Sequence, residues 1–115
     1  MLDLDAVMQE ALPEALAIAC ADVRAGLVIG ASARGDAERE AATNVAACAA
    51  QLCSSPGFGA VISPTWIHAY ARVAKRPELV IVGVARGDAN LSLLLDWVKR
   101  VADRSSVAEE ERTFA

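Results

Sequence analysis

The stretch "AATNVAACAAQLC", residues 41–53, constrains the fold of this chain more than any other. Alanine is the strongest helix former, so the stretch predicts a helix. Almost none of its side chains is large enough to fill a hydrophobic core. Small side chains instead allow a neighbouring backbone to approach closely, which adds dispersion contacts. We therefore predict that this helix packs at short range, and the neighbour we prefer is the same helix of a second copy.

The composition narrows the class of protein. With 115 residues, 55% hydrophobic and 23% charged, the chain is typical of one globular domain. Its net charge of -4 and its lack of a basic cluster argue against a nucleic-acid partner. No apolar run reaches the roughly 18 residues of a membrane span, and the acidic amino-terminal segment does not resemble a secretory signal. The three cysteines lack C-x-x-C spacing, so we expect reduced thiols in a cytoplasmic protein without membrane insertion.

Apolar periodicity divides the chain into helices and strands. The stripe from Leu4 to Leu12 predicts an amphipathic helix, which Pro13 limits. The strand-like runs "ALAIACADV" and "LVIGASA" follow, and Gly26 supplies the positive φ of the turn between them. The middle helix, with Asp36 as its predicted N-cap, precedes the strands "GAVIS", "TWIHAYARV" and "LVIVGVAR". The last of these is apolar on both sides, which is typical of a strand in the middle of a sheet.

A final helix begins at about Asp88 and carries a leucine stripe; Trp97 lies off that stripe, so we expect it to fold over a strand end or to be a surface anchor. The resulting order, α-β-β-α-β-β-β-α, predicts an α/β sandwich with a mostly antiparallel five-stranded sheet, because the hairpins are short. We expect one domain over residues 1–103. Residues 104–115 have no core-forming pattern and are expected to be a short, disordered acidic tail.

The middle helix separates into faces on a helical wheel. The stripe that includes Ala42, Val45 and Ala46 is expected to face the sheet. The flanks carry small side chains where an exposed helix normally carries long charged ones. We therefore predict a dimer interface that also includes the uncharged "GAVIS" strand, which is expected at the sheet edge. Its residues are Ala37, Ala41, Thr43, Ala47, Cys48, Ala50 and Val61. The alternative is a monomeric core helix that is thin because it fits closely under the sheet.

Two surfaces are candidates for binding a protein partner. The outward side of the middle helix carries Arg39, Glu40, Asn44 and Gln51. Alternation along "TWIHAYARV" places Trp66, His68, Tyr70 and Arg72 on one face of that strand. Tryptophan, tyrosine and arginine are enriched at binding hot spots. The same residues would also serve as cover beneath a terminal helix, with His68 as a half-buried strand residue packed against a helix.

Other sites fail on inspection. Gly30 and Gly35 have the spacing of a phosphate-binding loop, but Asp36 stands where that loop requires lysine. With His68 as the single histidine and no cysteine pair, the sequence does not favour a structural zinc site or a histidine-based catalytic group. We expect no catalytic residues, no cofactor and no metal.

Three segments together resemble the Roadblock family, the family of dynein light chains and bacterial regulators of small GTPases. They are "LPEALAIACADVRAGLVIG", "DAEREAATNVAACAAQL" and "HAYARVAKRPELVIVGVARGDANLSLLLDWVKRVA", and the resemblance covers Leu4 to about Ala102. It implies a five-stranded sheet with the middle helix on one face and the terminal helices on the other. It also implies a dimer joined edge to edge, with the two middle helices side by side. The chain is short after the last helix, so the partner-binding extension of some bacterial relatives is not expected.

The resemblance implies a non-enzymatic homodimeric regulator or scaffold that binds a Ras-like small GTPase and modulates its nucleotide state. The alternative is a structural adaptor in a larger motor, pilus or signalling assembly without a GTPase partner. The sequence does not separate these two functions. An enzyme is the weakest interpretation, since it would need a polar pocket that the composition does not indicate.

Overall fold

The computed structural model describes residues 3–10, 12–48 and 57–114, the last nine of these by their backbone alone. Within these ranges lie the helices α1 (Leu4–Gln9), α2 (Asp36–Ala47) and α3 (Leu91–Phe114). The five strands are β1 (Ala15–Asp22), β2 (Leu27–Ala33), β3 (Phe58–Ile62), β4 (Trp66–Val73) and β5 (Arg76–Arg86). This order confirms the predicted α-β-β-α-β-β-β-α architecture.

The strands form one antiparallel sheet in the order β2-β1-β5-β4-β3. β5 lies in the middle and is buried on both faces from Leu79 to Ala85, as its continuous apolar run predicts. β2 and β3 are the two edge strands, which confirms the predicted edge position of the "GAVIS" strand. Across the β3–β4 ladder Val61 lies opposite His68, so this histidine is one strand away from the sheet edge.

The β1–β2 hairpin shows how local chemistry sets the turn. The Asp22 carboxylate accepts hydrogen bonds from the backbone N–H groups of Arg24 and Ala25, each at 3.0 Å. Gly26 follows with φ of 71°, the left-handed conformation predicted for it. Asp22 therefore stabilises this turn through side-chain hydrogen bonds to the backbone, and Gly26 does so by adopting a positive φ.

The two faces of the sheet carry different cores. α1 and α3 cover one face with large side chains, among them Ile18, Ile81, Val98 and Val101. α2 covers the other face, where the buried residues are five alanines and three valines: Ala17, Ala19, Ala21, Ala42, Ala46, Val80, Val82 and Val84. The structure thus confirms one helix on one face and two on the other. Trp97 is buried against Gly83, which corrects the expectation that it lies at a strand end or on the surface.

The helix ends differ from the prediction in five places. α1 ends at Gln9 because Leu12 precedes a proline, which disfavours helical backbone, although its side chain still packs on the core. The N-cap of α2 is Gly35, one residue before the predicted Asp36, so the Asp36 carboxylate lies in the first turn near the positive helix end. α2 ends at Ala47, where the N–H of Cys48 donates to the Val45 carbonyl at 3.0 Å in a tightened last turn. The predicted continuation to Cys53 lies outside the described residues.

The other two differences concern α3, which begins at Leu91 instead of at about Asp88 and whose backbone is helical to Phe114, beyond the predicted end. Segment 106–114 contains three glutamates, one alanine and one arginine, which are strong helix formers, so the helix continues without a core stripe. The division of the chain into a domain over 1–103 and a tail stays a prediction.

Candidate functional site

α2 covers only part of its face of the sheet. It packs mainly on β1, β2 and β5, and β4 and the edge strand β3 extend beyond it. A groove of about 400 Å³ lies between the exposed side of α2 and β4. We call it the α2–β4 groove, and its lining residues are Ala37, Glu40, Ala41, Asn44, Val45, Trp66 and His68.

The pleat of β4 determines which side chains reach this groove. Ile67, Ala69, Ala71 and Val73 pack into the core beneath α1 and α3. The alternate residues, from Trp66 to Arg72, therefore face the α2 side. The interpretation of these residues as cover beneath a terminal helix is wrong, because both terminal helices pack on the opposite face, where the smaller apolar side chains of β4 meet them.

His68 is the unusual residue of the groove. It is 5% exposed, and neither of its ring nitrogens has a hydrogen-bond partner within the described ranges. Burial lowers the pKa of His68 below its ordinary value of 6.5, and the backbone of Val61 and Ala41 offsets part of this shift. Near neutral pH the imidazole is therefore uncharged, with one nitrogen as a donor and the other as an acceptor.

The structure brings together part of the predicted partner surface. Glu40 and Asn44 on α2 are exposed, and they meet Trp66 and His68 of β4 at the same groove. Two pairs of residues predicted for different surfaces thus share one site, and Ala37 and Ala41 of the predicted dimer interface line the same groove.

The other predicted partner residues lie elsewhere. The Arg39 guanidinium donates to the carbonyl of Ala31 on β2 at 3.2 Å and so lies on the other side of α2. The Tyr70 ring leans over Gly59 of the edge strand, where an added Cβ would lie 2.7 Å from Cζ of the ring. Arg72 is half-buried and lies two residues after Tyr70 on β4. Gln51 lies outside the described residues.

The predicted dimer interface remains a prediction, but its described residues have defined positions. Ala37, Ala47 and Cys48 are exposed, whereas Ala41 and Thr43 are half-buried. The Thr43 hydroxyl donates to the Glu40 carbonyl at 3.1 Å, so it is turned back onto its own helix. Val61 is half-buried on β3. Ala50 lies outside the described residues.

Sequence reasoning missed two exposed apolar side chains on the edge strand. Phe58 is 40% and Ile62 68% exposed, and both lie on the α3 side of β3. The ammonium group of Lys99 lies 4.3 Å from the centre of the Phe58 ring, a cation–π contact. The alternation of Phe58, Ala60 and Ile62 could have indicated this apolar side of the edge.

Within residues 3–10, 12–48 and 57–114, no group of three or more histidine, cysteine, aspartate or glutamate side chains could hold a metal ion. None of the helices in that part of the chain combines the length and apolarity that crossing a bilayer requires.

Neither protein families nor curated proteins give a match to this chain. Solved structures do. A Roadblock/LC7 domain from Streptomyces avermitilis has a TM-score of 0.72 and 14% identity, covering 95% of this chain and 99% of that one. MglB of Myxococcus xanthus has a TM-score of 0.69 and 16% identity, covering 94% and 92%. An MglB structure with a tetrameric arrangement has a TM-score of 0.67 and 20% identity, covering 92% and 87%. The chain therefore has the Roadblock fold, which confirms the predicted resemblance at the level of fold.

Proposed function

We propose that this chain is a non-enzymatic cytoplasmic regulator that acts as a homodimer and binds a Ras-like small GTPase. It would favour one nucleotide state of the GTPase by contacting it, without donating catalytic groups. The observation that carries the proposal is the Roadblock fold, shared over 95% of this chain and 99% of the Streptomyces domain. The family resemblance stated from the sequence implies this role for a chain with that fold.

The α2–β4 groove supports a protein-binding role. It combines an aromatic wall at Trp66 with exposed polar side chains at Glu40 and Asn44. An apolar centre with a polar rim is the usual organisation of a protein interface, and tryptophan is the residue type most enriched at its hot spots. We infer that a partner contacts this groove and the outward side of α2.

The exposed edge of the sheet supports self-association. Within the described residues β3 pairs with β4 alone, so its other edge has backbone groups available for a further strand. Beside it, α2 carries small side chains at Ala37 and Ala41, which allow a second helix to approach closely. MglB, one of the proteins with this fold, has been solved in a tetrameric arrangement.

A structural adaptor in a motor, pilus or signalling assembly is the second candidate. The same groove and edge strand would serve it, because neither feature is specific to a GTPase. The two functions differ in whether binding depends on a guanine nucleotide.

Affinity capture from the native cell, with added GTP analogue or GDP, separates the candidates. We expect a Ras-like GTPase in the capture, with a yield that differs between the two nucleotides. Isothermal titration with the purified GTPase in each nucleotide state would then give the two affinities. Motor, pilus or signalling proteins captured equally under both conditions would instead favour the adaptor.

A charge-reversal pair tests the binding surface. Glu40→Lys should weaken GTPase binding while self-association remains, because Glu40 is exposed at the rim of the groove. Asp103→Lys is the matched control, with the same change of charge at an exposed position of α3 on the opposite face of the sheet. If both variants bound the GTPase with the affinity of the parent chain, the α2–β4 groove would not be the GTPase-binding surface.

A further inference from the structure

His68 lies at the boundary between the buried part of the α2 face and the α2–β4 groove. It lines that groove, yet neither of its buried ring nitrogens has a hydrogen-bond partner within the described residues. The backbones of Ala41 on α2 and Val61 on β3 approach the ring closely enough to favour its charged form. Burial outweighs them and lowers the pKa of His68, so this position suits a neutral ring and disfavours an imidazolium.

We propose that protonation of His68 turns its ring out of the buried position into the α2–β4 groove, where the ring pairs with the Glu40 carboxylate and closes the groove to a partner. The inference rests on the proposed function, because it adds regulation by pH to the same binding surface. The movement of the ring is measured in the chain alone, so the two proposals can fail separately.

The groove offers the protonated ring what its buried position lacks. A volume of about 400 Å³ has room for an imidazole and its hydration, since one water molecule takes up about 30 Å³. Glu40 lines the same groove, and its carboxylate accepts hydrogen bonds and stabilises a nearby positive charge. The side chains of Ala37 and Ala41 in the same lining are single methyl groups, so they leave the ring space to change rotamer.

The outward ring would occupy the surface that a partner contacts. Trp66 precedes His68 by two residues on the same face of β4, so the outward ring would lie beside the indole. It would also neutralise Glu40, which is the exposed charge at the groove rim. A partner that fills the groove holds the ring in its buried, neutral position, so partner binding and protonation oppose each other. The affinity for the partner should therefore decrease as the pH falls.

The groups around His68 leave it as the one that titrates in this range. The other titratable or charged side chains of the described residues that face it are those of Glu40 on α2 and Tyr70 and Arg72 on β4. The residues opposite it on β3 and β5 are the uncharged Val61 and Val84. Of these residue types, histidine alone ordinarily changes its charge between pH 5 and pH 8.

NMR titration of the full chain between pH 8 and pH 5 tests the movement of the ring. His68 is the single histidine of the sequence, so its imidazole signals need no variant for their assignment. We expect protonation with a midpoint below pH 6.5. Over the same range, nuclear Overhauser contacts from the ring to the Glu40 side chain should appear, and those to Val61 and Ala41 should be lost.

A pair of charge variants tests the role of Glu40. Glu40→Gln removes the carboxylate that pairs with the outward ring, so it should lower the midpoint of His68 protonation by roughly 0.3–0.7 pH units. Asp103→Asn is the matched control, with the same loss of charge at an exposed position on the opposite face of the sheet. Its midpoint should equal that of the parent chain.

Titration of the purified GTPase at pH 7.5 and pH 5.5 extends the test to the proposed function. Between these pH values the affinity of the parent chain should fall about threefold to tenfold more than that of His68→Gln, whose side chain does not titrate. Comparison of the two chains cancels the pH effects that arise in the GTPase itself.

Each outcome has a defined meaning. A protonated His68 ring that keeps its contacts to Val61 and Ala41 overturns the proposal, and so does a ring that stays neutral to pH 5. Glu40 is exposed, so Glu40→Gln keeps the test decisive if His68→Gln does not fold. A bound GTPase whose affinity for both chains changes equally with pH overturns the regulation. A ring that turns outward in a chain that binds no GTPase at either pH would count against the proposed function alone.

Discussion

The two faces of the sheet differ in what fills them and in how completely they are covered. On the α1/α3 face, large side chains such as Ile81 and Val98 pack into a continuous core that includes the buried Trp97. On the α2 face the buried side chains are alanines and valines, and a groove with a buried histidine lies beside the helix. The first arrangement provides most of the apolar burial, and the second leaves a surface that another chain can complete.

This difference shows how one sheet can separate stability from recognition. Hydrophobic stabilisation scales with apolar area removed from water, so the face with the larger side chains contributes more to folding. A face of alanines contributes less per residue but lets helices approach closely. The following variants test that division, from the largest expected effect to the smallest.

Removing a large side chain from the α1/α3 face should have the largest effect. Ile81→Ala should lower the free energy of unfolding by about 3 kcal/mol, since Ile81 is fully buried and the surrounding core cannot collapse completely. Val82→Ala, its neighbour on the α2 face, should cost about 2 kcal/mol, because fewer methyl groups are lost. Urea denaturation measures both. A larger loss for Val82→Ala would contradict the division between the faces.

Adding a methyl group beneath α3 should have the next largest effect. A Cβ at Gly83 would lie 2.6 Å from Cγ2 of Val98 and 3.2 Å from the Trp97 ring, so Gly83→Ala should destabilise the chain by about 1–3 kcal/mol. Gly57→Ala is the matched control, since its Cβ would make an ordinary 3.4 Å contact with Cβ of Arg72. We expect it to change stability by less than about 0.5 kcal/mol. If thermal unfolding showed the two variants to be equally stable, the space between Gly83 and α3 would accommodate a methyl group.

On the α2 face, protonation of His68 should have a smaller effect on the free energy of unfolding. Burial holds the pKa of His68 below 6.5, so the unfolded chain binds a proton more readily than the folded one. The free energy of unfolding should therefore decrease as the pH falls below about 6.5. His68→Gln should remove this contribution to the slope. An identical slope in the variant, measured by urea denaturation between pH 5 and 8, would assign the dependence to other groups.

The smallest effect on stability should come from the groove rim. Ala37 is exposed on α2, so Ala37→Leu should change the free energy of unfolding by less than about 0.5 kcal/mol. The same variant should weaken self-association, because the larger side chain separates two closely packed helices. A stable variant that associates as the parent does would place the interface elsewhere.

Periodicity predicted most of the fold because each strand has a clear relation between its pattern and its burial. The continuous apolar run of β5 indicated a central strand, and the alternation of β4 indicated which residues share a face. The sequence could not show which helix covers which of those faces, and so Trp66 was open to interpretation as cover beneath a terminal helix. Trp97 was misplaced because its burial depends on the missing side chain of Gly83, fourteen residues away on another element.

The groove itself could not be predicted from the sequence. The groove exists because α2 packs mainly on β1, β2 and β5 and covers little of β4. Where a helix lies on a sheet depends on packing along the whole interface between them. Glu40, Asn44, Trp66 and His68 were predicted as contact residues of two separate surfaces, and tertiary structure joins them into one. That His68 has no hydrogen-bond partner among the described residues is likewise a property of its surroundings, which the local sequence does not indicate.

The central claim is that the α2 face and the β3 edge are completed by a second copy of the chain. Sedimentation equilibrium of the parent chain at micromolar concentration and neutral pH tests it most directly. We predict a species of twice the 12.0 kDa chain mass. A species that stays at 12.0 kDa across the whole concentration range would contradict the claim.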